Sequence, residues 1–203
     1  ASLGCGPVWE ALNMASMDQI TQLWEEGYNK GLPIIFNFFN NFYGMGGQTV
    51  GETMAYNILA RFGAGVSPTQ LHAERVDGYN PLAVIDAMKR KKAIIEEGRG
   101  PVLLDTITYR MTGHSPSDAS TYRTKEEMDA WAEHDVLVNY EKKLVSAKVA
   151  KADEFAQMRE EIRERMMKIV KLAIDDEVSP RMDLGKNPNI IADLMFSNQK
   201  IAK

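Results

Sequence analysis

LPIIFNFFNNFYGMGG, residues 32–47, passes abruptly from an apolar run into two amides, an aromatic pair and glycines. Ile34, Ile35, Phe36, Phe38 and Phe39 are β-branched or aromatic, and the run is far too short to cross a membrane. It therefore predicts a strand buried on both faces of a sheet. Asn40 and Asn41 mark the carboxyl end of that strand, the edge at which ligands sit in an open parallel sheet, and the glycines after them permit close backbone approach. Two readings of the asparagines stand side by side. They offer neutral oxygens to a hard cation such as Mg²⁺, or they simply end a strand, since Asn tolerates left-handed turns.

A hydrophobic content of 44% over 203 residues is enough for a sizeable core. A formal net charge of -4 and the absence of a basic stripe argue against a nucleic-acid surface. One cysteine, Cys5, can close no intramolecular disulfide, and with three scattered histidines it builds no zinc site, which points to a reducing compartment. No apolar run approaches the ~20 residues of a spanning helix. The opening ASLGCGPVWEAL has no initiator Met and runs almost directly into a helix, so the chain is expected to be a fragment or processed piece.

Residues 7–28 carry apolar positions near helical spacing and predict one helix or two short ones. The strand at 33–39 follows, and then a helix over 53–62 with Met54, Ile58, Leu59 and Phe62 on its apolar side. Asp77-Gly78-Tyr79 signals a turn, and Asn80 with Pro81 opens a helix to about Glu97. Residues 101–108, PVLLDTIT, are a second buried strand. This alternation predicts right-handed crossovers and a mostly parallel sheet. Beyond it, Thr124 with Glu127 matches a capping box, and helices are expected over 135–148 and 153–176. The division expected is an α/β part at 1–123, a helical part at 124–178 and an extended tail at 179–203.

The second informative loop is YRMTGHSPSDASTYR, residues 109–123. It gathers His114, Ser115, Ser117, Asp118, Tyr122, Arg110 and Arg123 around Gly113. A histidine moves protons near neutral pH, and arginine pairs with carboxylate or phosphate, although a solvated polar loop is the plain alternative. Because this loop and the Asn41 loop both leave buried strands, a parallel sheet opens them on one edge.

WEALNMA (9–15), NNFYGMG (40–46), RVDGYNP (75–81), GPVLLDTITYR (100–110) and GHSPSDASTYRTKEEMDAW (113–131) together resemble successive motifs of the alpha subunit of thiamin-diphosphate-dependent 2-oxo acid dehydrogenases. The resemblance covers most of the chain. It implies a parallel-sheet thiamin-diphosphate-binding fold, incomplete at its N-terminus and followed by a helical C-terminal part. It implies thiamin diphosphate and Mg as cofactors, the diphosphate and Mg bound by the 1–123 part, with Asn41 a metal ligand through its side chain and Tyr43 through its carbonyl. Gly44, Arg110 and His114 would belong to the cofactor site, with His114 the catalytic residue that helps pass an acyl group to a lipoyl arm. Asp118, Tyr122 and Arg123 would order the loop, and Ser115 falls where some relatives are phosphorylated.

The implied partners are a beta subunit or fused beta half supplying the catalytic Glu, and a lipoyl-bearing acyltransferase core, in an α2β2 assembly without nucleic acid or membrane. The implied location is bacterial cytoplasm or the mitochondrial matrix. Two departures accompany the likeness. The family's metal-binding Asp would fall before Ala1, with Gly4-Cys5-Gly6 out of register to replace it, and the stretch 18–31 carries an insertion expected to lengthen a helix or cover the sheet edge. Pyruvate, branched-chain 2-oxo acid and acetoin enzymes all remain open, as does a non-catalytic assembly module. A nucleotide-binding domain of another kind lacks a G-x-G-x-x-G or P-loop.

Overall fold

PVLLDTIT, rather than the 32–39 run, forms the centre of the sheet. The computed structural model describes residues 2–23, 31–69 and 71–194. In chain order these hold a 3₁₀ turn (Ser2–Gly4), α1 (Gly6–Ala15), α2 (Asp18–Gln22), β1 (Ile35–Asn40), a second 3₁₀ turn (Leu59–Arg61) and α3 (Phe62–Val66). There follow β2 (His72–Asp77), α4 (Pro81–Glu96), β3 (Val102–Ile107), α5 (Lys125–Glu133), α6 (Val136–Ser146), α7 (Ala152–Ala173) and α8 (Ile190–Leu194). The three strands are parallel in the order β1-β3-β2, the α/β architecture expected, with helices after it.

Strand β3 is buried along nearly its whole length because its alternate side chains meet different partners. Leu103 joins Leu12 and Leu71 under α1, with Trp9, Phe36 and Phe62 packed around them. Leu104 joins Val76 and Ala87 under α4. An apolar run without alternation thus reads correctly as a strand covered on both faces. The same expectation for β1 does not hold. Among the described residues β1 is an edge strand, its Ile35, Phe36 and Phe38 are half-buried, and Phe39 is 70% exposed.

Helix α4 starts as its sequence demands: Asn80 Oδ1 accepts the Ala83 amide at 3.4 Å and Pro81 occupies the first turn. Gly78, just before it, is required by space, since a Cβ there would stand 2.3 Å from the Ile107 carbonyl oxygen. Strand β2 has that turn as its clearest sequence signal. Residues 7–28 resolve into α1 and α2. Residues 24–30, half of the 18–31 stretch, lie outside the described residues.

The helix expected over 53–62 is absent. Thr53 and Met54 instead donate to the Thr49 carbonyl, and only the 3₁₀ turn and α3 follow. The cause is tertiary: the buried carboxylate of Asp105 accepts the Leu59 and Ala60 amides, and Arg75 takes the Asn57 carbonyl, groups a helix would have satisfied within itself.

Residues 1–143 and 144–203 form two compact units. The first includes α5 and the greater part of α6. Thr124 caps α5 by accepting the Glu127 amide at 3.1 Å, while the Glu127 carboxylate leaves the expected capping box for Tyr43. In the second unit α7 is charged, and its apolar side chains Met158, Ile162, Met166 and Ile169 are exposed. No helix among the described residues is long and apolar enough to cross a membrane.

Candidate active site

Strand β1 delivers Asn40 and Asn41 to the carboxyl edge of the sheet in different states. Asn40 is buried, with its carbonyl accepting Thr108 N at 3.0 Å and its amide donating to Asp105 Oδ1 at 3.1 Å. Asn41 is half-buried, and its Oδ1 accepts the Tyr43 amide at 3.1 Å, closing an Asx turn around Phe42, whose φ is +65°. An aromatic residue in that left-handed region needs surrounding structure to hold it there. The hairpin that does so pairs Tyr43 with Gln48, through Gly44 N to Gly47 O and Thr49 N to Phe42 O, both 2.8 Å. Tyr43 and Gln48 are therefore a non-hydrogen-bonded pair, with the Tyr43 main-chain groups facing away from the partner strand.

The loop leaving β3 meets this hairpin directly. Arg110 Nη1 donates to the Gly44 carbonyl at 2.9 Å and lies 3.4 Å from His114 Nδ1, and Arg110 Nη2 donates to Tyr122 Oη at 2.6 Å. A guanidinium has only donors, so Nδ1 accepts and the proton of the neutral ring sits on Nε2. His114 is exposed to solvent.

Asp118 holds the loop closed. Its Oδ2 accepts the His114 amide and the Tyr122 hydroxyl, each at 2.7 Å, and its Oδ1 accepts Ser120 N at 2.8 Å. Gly113 makes the closure possible, because a Cβ there would lie 2.6 Å from the Asp118 carbonyl oxygen. Ser115, exposed, lies with its Oγ 3.1 Å from Ser117 Oγ.

Arg123, 6% exposed, is the inner support. Its Nη2 donates to Thr112 O at 3.0 Å and Ser120 Oγ at 2.8 Å, Nη1 reaches the Arg110 carbonyl, and its charge lies 5.4 to 5.7 Å from the ring centres of Tyr43, Tyr109 and Tyr122. Tyr43 Oη donates to Glu127 Oε1 at 2.6 Å, and burial, followed by that carboxylate, pushes the phenol well above its ordinary range. It stays a donor.

Hydrogen bonds from the His114 amide first, and then from Tyr122 and Ser120, hold the Asp118 carboxyl at about 2 against an ordinary 3.8. A depressed carboxyl contributes its order above the ordinary value and loses it as pH falls through the depressed one. Loop amides 113–122 are therefore expected to keep their exchange protection down to about pH 4 and to lose it toward about pH 2. Asp118→Asn is expected to remove that acid step. A pH-independent loop in the wild type would refute this role.

The structure thus brings Asn41, Tyr43, Gly44, Arg110, His114, Asp118, Tyr122 and Arg123 to one sheet edge, linked by direct hydrogen bonds. A cavity of about 260 Å³ beside them is lined by Asn40, Asn41, Thr49, Met54 and Leu59 among others. Among the described residues no three of His, Cys, Asp and Glu gather as metal ligands, and Cys5 is an exposed thiol. Sequence reasoning missed Asp105, Arg75 and the contact of Glu127 with Tyr43. An aspartate inside the apolar run PVLLDTIT was the available signal, since a charge there must be paired.

Known proteins give the arrangement a context. The family model described as dehydrogenase E1 component matches residues 1–181. The alpha subunit of the pyruvate dehydrogenase E1 component from Zymomonas mobilis is 35% identical over 188 residues, covering 89% of this chain and 48% of that protein. Its mitochondrial counterpart from Dictyostelium discoideum is 35% identical over 186 residues, covering 90% of this chain and 44% of that protein. The one from Rickettsia felis is 30% identical over 182 residues, 89% of this chain and 50% of that protein. The chain spans about half the length of these curated relatives. With two loops of matching motif joined at one sheet edge and the family match running through both, the chain belongs to the dehydrogenase E1 component family.

Proposed function

We propose that this chain is the diphosphate-binding part of the decarboxylating component of a 2-oxo acid dehydrogenase complex, with pyruvate the substrate that the relatives' names favour. The observation that carries the reading is the junction of the two loops, Arg110 to the Gly44 carbonyl with His114 beside it. The residues present fit thiamin diphosphate with Mg²⁺. Asn41 Oδ1 keeps a lone pair beyond the one used by Tyr43 N, and the Tyr43 carbonyl, facing out of the hairpin, is the second oxygen this reading assigns. Two neutral oxygens suit a hard ion that takes its remaining ligands from phosphate. Thr49 Oγ1, buried beside the same cavity, has no hydrogen-bond partner among the described residues and is free for a phosphate oxygen.

When bound, thiamin diphosphate would supply the electron sink that lets a 2-oxo acid lose carbon dioxide. This chain's residues orient and gate. Asn41 and Tyr43 would hold the ion, Arg110 ties its loop to His114, and the Nε2–H of His114 would offer a proton during acyl transfer to a lipoyl arm. A beta subunit would supply the activating carboxylate, in an α2β2 assembly docked on a lipoyl-bearing acyltransferase core. Phosphorylation of exposed Ser115 would put a dianion next to His114 and block it by charge and bulk.

Titration calorimetry of the full-length subunit with its partner tests this. Thiamin diphosphate is expected to bind in an Mg²⁺-dependent manner. Loss of one ligand to a charged ion is worth about 1.5–3 kcal/mol, so Asn41→Ala is expected to weaken Mg²⁺ by roughly 10–100-fold. Undiminished affinity in that variant would sink the metal assignment.

A further inference from the structure

One buried group outside the site organises it from behind. Asp105 sits in the middle of β3 with 0% exposure, in register with Phe38 of β1 and Arg75 of β2. Its two oxygens collect donors from three separate segments. Oδ1 accepts the side-chain amide of Asn40 at 3.1 Å, and Oδ2 accepts Arg75 Nε at 2.7 Å, Leu59 N at 2.9 Å and Ala60 N at 3.3 Å. Asn57 closes the network, its carbonyl accepting from Asn40 Nδ2 at 3.4 Å and from Arg75 Nη2.

Two of the residues so held, Asn40 and Leu59, line the 260 Å³ cavity that also carries Asn41 and Thr49. Asn40 is fixed through its main chain by Thr108 and through its side chain by Asp105, and the left-handed turn at Phe42 begins one residue beyond Asn41. The direction in which Asn41 points is thus set by where Asn40 is anchored.

We infer that Asp105 is a positioning residue for the Asn41 cation loop, a buried carboxylate that draws the end of β1 and the 57–60 segment together and so fixes both walls of the cavity without touching its contents. This rests on the function proposed above. A carboxylate suits the task because all its lone pairs accept, while every group facing it donates. Asn has the same shape but would turn an NH₂ either on Asn40 or on the Arg75, Leu59 and Ala60 donors, leaving donor against donor in a buried site. Groups that orient a metal's ligands typically change its affinity when altered, by about tenfold or more.

The test uses the full-length subunit assembled with its partner. Asp105→Asn and Asn40→Ala are each titrated with Mg²⁺ at saturating thiamin diphosphate, beside thermal unfolding and hydrogen exchange of segment 41–47. The expected result is half-saturation about tenfold higher in both variants, with faster exchange of the segment, at temperatures where each remains folded. Lowered melting with unchanged half-saturation overturns the inference and leaves Asp105 a structural residue only. Should Asp105→Asn fail to assemble, Asn40→Ala, which removes the Asn40 arm and its contact with Asn57 while leaving Arg75 and the 59–60 amides on Asp105, decides in the same way. A wild type that takes up neither ion nor diphosphate overturns the proposed function and this inference with it, an outcome distinct from wild-type binding that the variants share.

Discussion

Arg123→Ala is expected to destabilise the 1–143 unit by about 2–4 kcal/mol, because it leaves two part-buried carbonyls, the buried Ser120 hydroxyl and three aromatic rings without their cation. A fully buried orphan costs about 1–3 kcal/mol, and these part-buried carbonyls fall at the lower end of that range. The charge over Tyr43, Tyr109 and Tyr122 contributes about 0.5–2 kcal/mol more. Arg123→Lys is expected to recover little: one ammonium cannot reach Arg110 O, Thr112 O and Ser120 Oγ together, nor lie flat among the rings. Denaturant unfolding gives the loss, and exchange of amides 110–122 locates it. A loss under about 1 kcal/mol would make the guanidinium a passive filler, the magnitude of an ordinary surface change.

His114→Ala is expected to lower acyl transfer to a lipoyl-bearing acceptor by about 10²–10⁴-fold, the range for a positioned proton donor. Half-saturation by Mg²⁺ should stay where it is, since the imidazole meets the Asn41 hairpin only through Arg110. Arg110→Ala should do both in part, weakening the tie to Gly44 and releasing the His114 ring from its Nε2–H form. Comparing transfer to the lipoyl acceptor with decarboxylation read by an artificial oxidant separates a step at the lipoyl arm from one at the 2-oxo acid. Unimpaired transfer by His114→Ala would remove the residue from the mechanism.

Much of this was legible locally. Asn80-Pro81 sets the start of α4, and Thr124 caps α5, because capping depends on residues within one turn. PVLLDTIT declares a fully buried strand for the reason that a continuous apolar run fits a sheet covered on both faces. The run at 35–39 has the same composition and reads the same way, yet β1 is an edge strand of the described sheet. Strand order is a property of the assembled sheet that composition does not encode.

The 53–62 segment fails for a related reason. Its apolar spacing is helical, but Asp105, more than 40 residues away in sequence, captures its amides. Glu127 behaves likewise, its carboxylate leaving the local capping box for Tyr43, 84 residues distant.

The amino-acid sequence by itself determined which chemistry is present: the Asn-Asn turn, the histidine loop, and an alternation of strands and helices that puts both on one edge of a parallel sheet. Tertiary structure alone decided how they are held. Arg110 reaches Gly44, Arg123 settles among three tyrosines, and Asp105 anchors Asn40, because a buried polar group must find its partners wherever packing brings them, and sequence distance does not enter.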